Sequence, residues 1–181
     1  MGNLALGPFL AAAALLVLAG LPKLGDPSSL VLALRSVGLP SPPGLGRLLA
    51  AAEVVVGGGA LLAPGRVSGA LVAAAYLVFT AFVALALSRG GVLASCGCFG
   101  RPDTPPTRSH LAVTAMLAAS GVAMAWAPPD SVWSTAVRQP VTFATLIGFA
   151  ALVAALAYLA LAVLPTVTPV AVRSASAPRR G

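Results

Sequence analysis

Long apolar runs, each broken by a short cluster of charge, glycine and proline, set the pattern of this chain. Residues 1–22 carry no charge, and about 20 apolar residues suffice for a helix to cross a bilayer. A first crossing is expected over 5–24, with Pro8 near its start, where a missing N–H costs least. Lys23-Leu24-Gly25-Asp26-Pro27 then supplies a charge, a glycine and a proline as stop signals. Residues 28–40 are apolar but too short to span, and read as an interfacial or re-entrant helix. Ser41-Pro42-Pro43-Gly44 breaks the chain before a second crossing over 45–63. That crossing carries Glu53, with Gly57-Gly58-Gly59 beyond it, where a neighbouring helix can come close.

Ala63-Pro64-Gly65-Arg66 is a tight turn, which makes the second and third crossings antiparallel neighbours. The third covers 67–88. A polar segment follows with Cys96, Cys98, Arg101, Asp103 and Pro105-Pro106. A fourth crossing begins near Ser109 or His110 and ends by Ala127. Pro128-Pro129-Asp130 opens a polar loop to Pro140, flanked by Trp126 and Trp133, as aromatic residues often flank a membrane at headgroup level. A fifth crossing covers 141–164 and stops at Pro165. The remaining residues are small, polar and basic, and are expected to be disordered.

Composition supports an all-α polytopic membrane helix bundle. The chain has 181 residues, of which 59% are hydrophobic and only 8% charged, whereas an ordinary soluble domain has about 25% charged residues. The net charge of +7 could suggest a nucleic-acid partner. However, the Lys and Arg residues stand singly between apolar runs or in the tail, as membrane-flanking charges do. Lipid is therefore the expected partner, and nucleic acid is not. Met1-Gly2-Asn3 offers no positive n-region, and the run after it is long enough to span. It reads as a membrane helix and not as a cleaved signal.

Five crossings bring Lys23, Glu53, Cys96, Cys98 and His110 to one end of the bundle. Most of the chemistry-bearing residues are there. Cys96 and Cys98 are the two cysteines of the chain, and Gly97 between them can adopt the dihedrals of a turn that closes a disulfide. So small a ring is strained, and strained, exposed disulfides are the labile or catalytic ones. The same pair could instead be a small structural bridge or two inert thiols. With His110 it makes three ligands suited to copper(I) or zinc, but a fourth ligand is missing and the spacing matches no common zinc pattern. No C-x-x-C-H is present to attach haem. Glu53 lies within a crossing, and such acids usually face the bundle interior with a partner; Lys23 and Arg47 are both candidates. Desolvation favours its protonated form, which could relay protons in thiol chemistry, or the residue could simply make a packing hydrogen bond. His110, at a helix start, reads as a solvated side chain near the headgroups.

Lys23-Leu24-Gly25-Asp26-Pro27 after the first crossing, Glu53 within the second and Cys96-Gly97-Cys98-Phe99-Gly100 after the third resemble the MauE family. These are methylamine-utilisation membrane proteins related in architecture to DoxX. The resemblance covers residues 1–127 as a four-helix domain, and leaves 128–164 as a loop with an extra transmembrane helix and 165–181 as a disordered basic tail. It implies a multi-pass protein of the cell membrane linked to redox maturation. Cys96 and Cys98 would be the reactive pair, with Glu53, Lys23 and His110 as polar support. A thioredoxin-like protein, or a disulfide-rich client such as methylamine dehydrogenase, would be the partner. The layout is also similar to the quinone-linked DsbB and vitamin K epoxide reductases. This chain departs from them in its C-x-C spacing and in having no second cysteine pair, so its sequence does not support a quinone or any other cofactor. The rival readings are a non-enzymatic membrane assembly protein and a copper- or zinc-binding protein. Two physical rules oppose each other on sidedness. All Lys and Arg except Arg66 and Arg138 share the cysteine end, which points inward by the positive-inside rule. Disulfide chemistry points outward.

Overall fold

The computed structural model describes residues 2–36, 38–88, 107–128, 137 and 139–160. Among these residues every extended element is a helix: α1 (Gly2–Gly25), α2 (Ser28–Ser36), α3 (Pro43–Leu62), α4 (Arg66–Ser88), α5 (Arg108–Trp126) and α6 (Pro140–Tyr158). Five of them, all but α2, are long and apolar enough to cross a membrane. The expected all-α bundle is therefore present. The cysteine segment, Trp133 and the basic tail lie outside the described residues.

The bundle is built around α1. Its buried residues include Leu6, Phe9, Leu10, Ala12, Leu15 and Leu16, which point in every direction around the helix. Its central place shows in its neighbours, since α3, α5 and α6 all pack against α1. By contrast, α6 leaves most of its surface outward, with Val141, Phe149, Leu152 and Leu156 exposed. Those side chains face lipid in a membrane. Leu61, Pro64 and Phe143 line one cavity, so α6 begins at the end of the bundle where α3 turns into α4. The crossings thus alternate in direction.

In lipid, apolar surface gives helices no preference for each other over acyl chains, so association depends on close packing and polar contacts. Both are present. At the α4–α5 contact a Cβ on Gly121 would lie 2.6 Å from the Ala73 backbone nitrogen, and one on Gly69 would lie 2.6 Å from that of Ala125. At the α1–α3 contact a Cβ on Gly57 would lie 2.6 Å from the Ala13 carbonyl oxygen. Of the three consecutive glycines, only Gly57 serves this purpose; Gly58 and Gly59 have nothing within 4 Å of an added Cβ. Tyr76 of α4 adds a polar tie, its hydroxyl donating to the Ala12 carbonyl of α1 at 2.8 Å.

The short segment between α1 and α3 is a helix of nine residues, spanning about 13 Å at 1.5 Å per residue, so it lies against the bundle and does not cross. Asp26 opens it by accepting the Ser28 N–H at 3.0 Å. That hydrogen bond, with a second from the Ser28 side chain, holds the Asp26 carboxyl below the usual carboxylate range. Gly38 closes it with φ +79°. The Gly38 N–H reaches the Arg35 carbonyl at 2.9 Å and the Leu39 N–H reaches that of Leu34 at 3.0 Å, the paired bonds of a Schellman stop with glycine in the left-handed position. The Ser41 hydroxyl then ties the following turn to the Val31 carbonyl at 3.1 Å.

The glycine contacts give a direct test. Gly121→Leu forces backbone apart at the α4–α5 contact and is expected to lower stability in detergent by at least about 1–3 kcal/mol. Gly58→Leu meets open space and is expected to leave the melting temperature unchanged. Equal melting of the two variants would contradict this packing.

Candidate functional site

The site rests on two charges inside the bundle. Lys23 is two residues from the end of α1, yet its side chain turns inward and is only 2% exposed. Glu53 is the eleventh of twenty residues in α3 and is 6% exposed. The Lys23 Nζ donates to both carboxylate oxygens, to Oε1 at 2.9 Å and to Oε2 at 2.8 Å. This is the arrangement of an ammonium facing a carboxylate. Of the two candidate partners for Glu53, the structure pairs it with Lys23, while Arg47 in the first turns of α3 is exposed.

Local sequence makes the pairing possible. Gly20 lies one turn before Lys23, and a Cβ there would sit 2.9 Å from the Ala50 carbonyl oxygen and 3.0 Å from the Glu53 Cβ. Without that glycine, α1 and α3 could not approach closely enough at this level for so short an ion pair. On the α4 side, Nζ lies 5.7 Å from the centre of the Phe79 ring, within cation–π range. Phe79 in turn meets Tyr76 edge to face with ring centres 5.8 Å apart. The lysine thus bridges α1, α3 and α4.

Lys23 is the only lysine of the chain and Glu53 its only glutamate, every other basic residue being arginine. Phe79 and Tyr76 were not visible as site residues, because only the rotation of α4 turns them towards Lys23.

His110 differs from the expectation of a solvated boundary residue. It is fully buried, at 0% exposure. Thr107, the cap of α5, satisfies polar atoms of this buried residue: its hydroxyl oxygen accepts the His110 N–H at 3.3 Å and lies 2.7 Å from His110 Nδ1. A threonine three residues ahead of a helical position is the ordinary cap signal. His110 is not among the described residues that line the cavity beside Lys23 and Glu53. Cys96 and Cys98 lie outside the described residues. Their segment joins α4 to α5, from Ser88 to Thr107. Phe79 is nine residues before Ser88, so the ion pair lies about 14 Å along α4 from that helix end. Among the described residues, no group of three or more His, Cys, Asp or Glu could hold a metal.

Five spans, one of them central, and a buried ion pair make this a multi-pass α-helical membrane protein with a polar element in its core. The chain belongs to the MauE family: the family described as methylamine utilisation protein MauE matches residues 1–127. No curated protein and no solved structure matches the chain.

Removing one half of a buried pair leaves the other charge uncompensated, at a cost of about 3–5 kcal/mol. Lys23→Met and Glu53→Met are each expected to lower thermal stability in detergent by that order. The double variant Lys23→Met/Glu53→Met removes both charges and is expected to melt above either single variant. Additive losses in the double variant would show that the two side chains do not act as a pair.

Proposed function

We propose that this MauE-family protein sits in the cell membrane and supports thiol–disulfide maturation of a partner protein through Cys96 and Cys98. Its membership of a family named for methylamine utilisation makes the proteins of that process the first clients to consider. The observation that carries the reading is that the chain holds only two cysteines, one residue apart, on the segment that joins two membrane helices. One couple of this kind can hold one disulfide and must pass electrons to or from a partner thiol or a small molecule.

The exchange balances as follows. A thiolate of a thioredoxin-like partner attacks one sulfur of the Cys96–Cys98 disulfide, forming a mixed disulfide and releasing the other cysteine as thiolate. The partner's second thiolate resolves the adduct. The partner becomes the disulfide, and Cys96 and Cys98 gain its two electrons and two protons. Lys23 and Glu53 tie α1 to α3, and His110 with Thr107 anchors the start of α5. Chemistry of this kind belongs on the outer face of the membrane, where disulfides persist, although the positive-inside rule applied to the sequence points this segment inward.

Cys98→Ser is expected to leave a partner trapped on Cys96 as an adduct that reductant releases, or Cys96→Ser to trap one on Cys98. Non-reducing electrophoresis and mass spectrometry of the purified membrane protein read this out. If neither single variant traps a partner and the double serine variant still supports client maturation, the cysteines are not the working element.

A further inference from the structure

Lys23 and Glu53 also form part of the wall of a cavity of about 330 Å³ between α1, α2, α3 and α4. That size falls within the range of small-molecule sites, about 300–1,000 Å³. On α4 the lining runs from Leu71 to Phe82, eleven residues apart and so about 16 Å along the helix. The cavity is therefore a groove running lengthwise between α3 and α4, which touch each other far less than α1 touches α3. Ala52 and Ala74 line it and are also exposed on the outside of the bundle. Its mouth thus opens sideways into lipid, while Leu30 and Leu34 of α2 close it from the side.

The lining is apolar apart from the ion pair, and this limits what can occupy the groove. Lys23 gives two of its three N–H donors to Glu53, which leaves one donor for a ligand oxygen. The carboxylate keeps lone pairs beyond the two it uses, so it can accept a ligand hydroxyl. Phe79 and Phe82 supply two aromatic rings. The pair neutralises itself and Glu53 lies mid-way along α3, at a depth where a phosphate or a free carboxylate would be costly. A suitable head is therefore uncharged, flat and oxygen-bearing, and its tail is long and apolar. We propose that this groove binds a prenyl-tailed quinone or its quinol, which enters sideways from the membrane between α3 and α4. Lys23 donates to a ring carbonyl of the quinone, Glu53 accepts from a ring hydroxyl of the quinol, and the tail lies along α4 towards Leu71. This assignment stands on the groove alone and holds whether or not Cys96 and Cys98 exchange disulfides.

The test uses the full chain in lipid nanodiscs, with a decyl-tailed benzoquinone bearing an azide as photolabel. Labelled peptides are located by mass spectrometry. Labelling is expected within 49–56 and 71–82. It should be displaced by unlabelled decyl-benzoquinone at concentrations about tenfold lower than by decanol, which has the tail and a hydroxyl but no ring. Ala74→Phe and Ala52→Phe fill the groove from its exposed lips, and each is expected to cut labelling about tenfold at an unchanged melting temperature. Labelling spread over the lipid-facing helices, or equal displacement by decanol on the unaltered protein, would overturn the proposal.

Discussion

A charge within a membrane helix must find its counter-charge, and in this protein that requirement organises the interior. Placing a lysine or an acid at bilayer depth costs about 2.5–3.5 kcal/mol on insertion scales. The cost is offset only if the two charges meet, and they meet at 2.8 Å between α1 and α3. To allow this, α1 must be central, α3 must lie against it at the level of Gly20, and Phe79 of α4 must close over the ammonium. Three of the five spans are thereby fixed relative to one another by one interaction.

The remaining contacts serve the same arrangement. Gly57 lets α3 follow α1 beyond the ion pair, and Tyr76 hydrogen-bonds α4 to the Ala12 carbonyl of α1. Gly69 and Gly121 lock α5 to α4 on the far side. α3 and α4 are thus each held to other helices more firmly than to each other, and the space between them near Lys23 stays open. The groove follows from how the bundle satisfies its buried charges. A second-partner contact between α3 and α4 at that level would have removed it.

Much of the fold was legible in the sequence because lipid imposes a coarse rule. A run of apolar residues ended by Lys23-Leu24-Gly25-Asp26-Pro27, or by Ala63-Pro64-Gly65-Arg66, has few structures other than a crossing helix and its end. The failure of residues 28–40 to span was legible for the same reason. Helix rotation was not, since spans such as α4 and α5 are apolar nearly all round and carry little periodicity to show which face turns inward. For that reason Phe79, Tyr76 and the groove were invisible, and His110 read as a solvated end residue although it is buried in the bundle. Glu53 was conspicuous by its charge, but the sequence left Lys23 and Arg47 both open as its partner, and only the packing of α1 on α3 selects Lys23. Cys96 and Cys98 lie outside the described residues.

The most direct measurement of the central interaction is the charge state of Glu53 in lipid at neutral pH. Because Glu53 is the only glutamate, infrared spectra of protein labelled with ¹³C-glutamate, with Glu53→Gln subtracted, report on this one side chain. An ionised carboxylate band that changes on Lys23→Met is the expected result, since Nζ donates to both carboxylate oxygens at 2.9 and 2.8 Å. A protonated carboxyl band, unaffected by Lys23→Met, would contradict the ion pair and with it the account of how α1, α3 and α4 are held together.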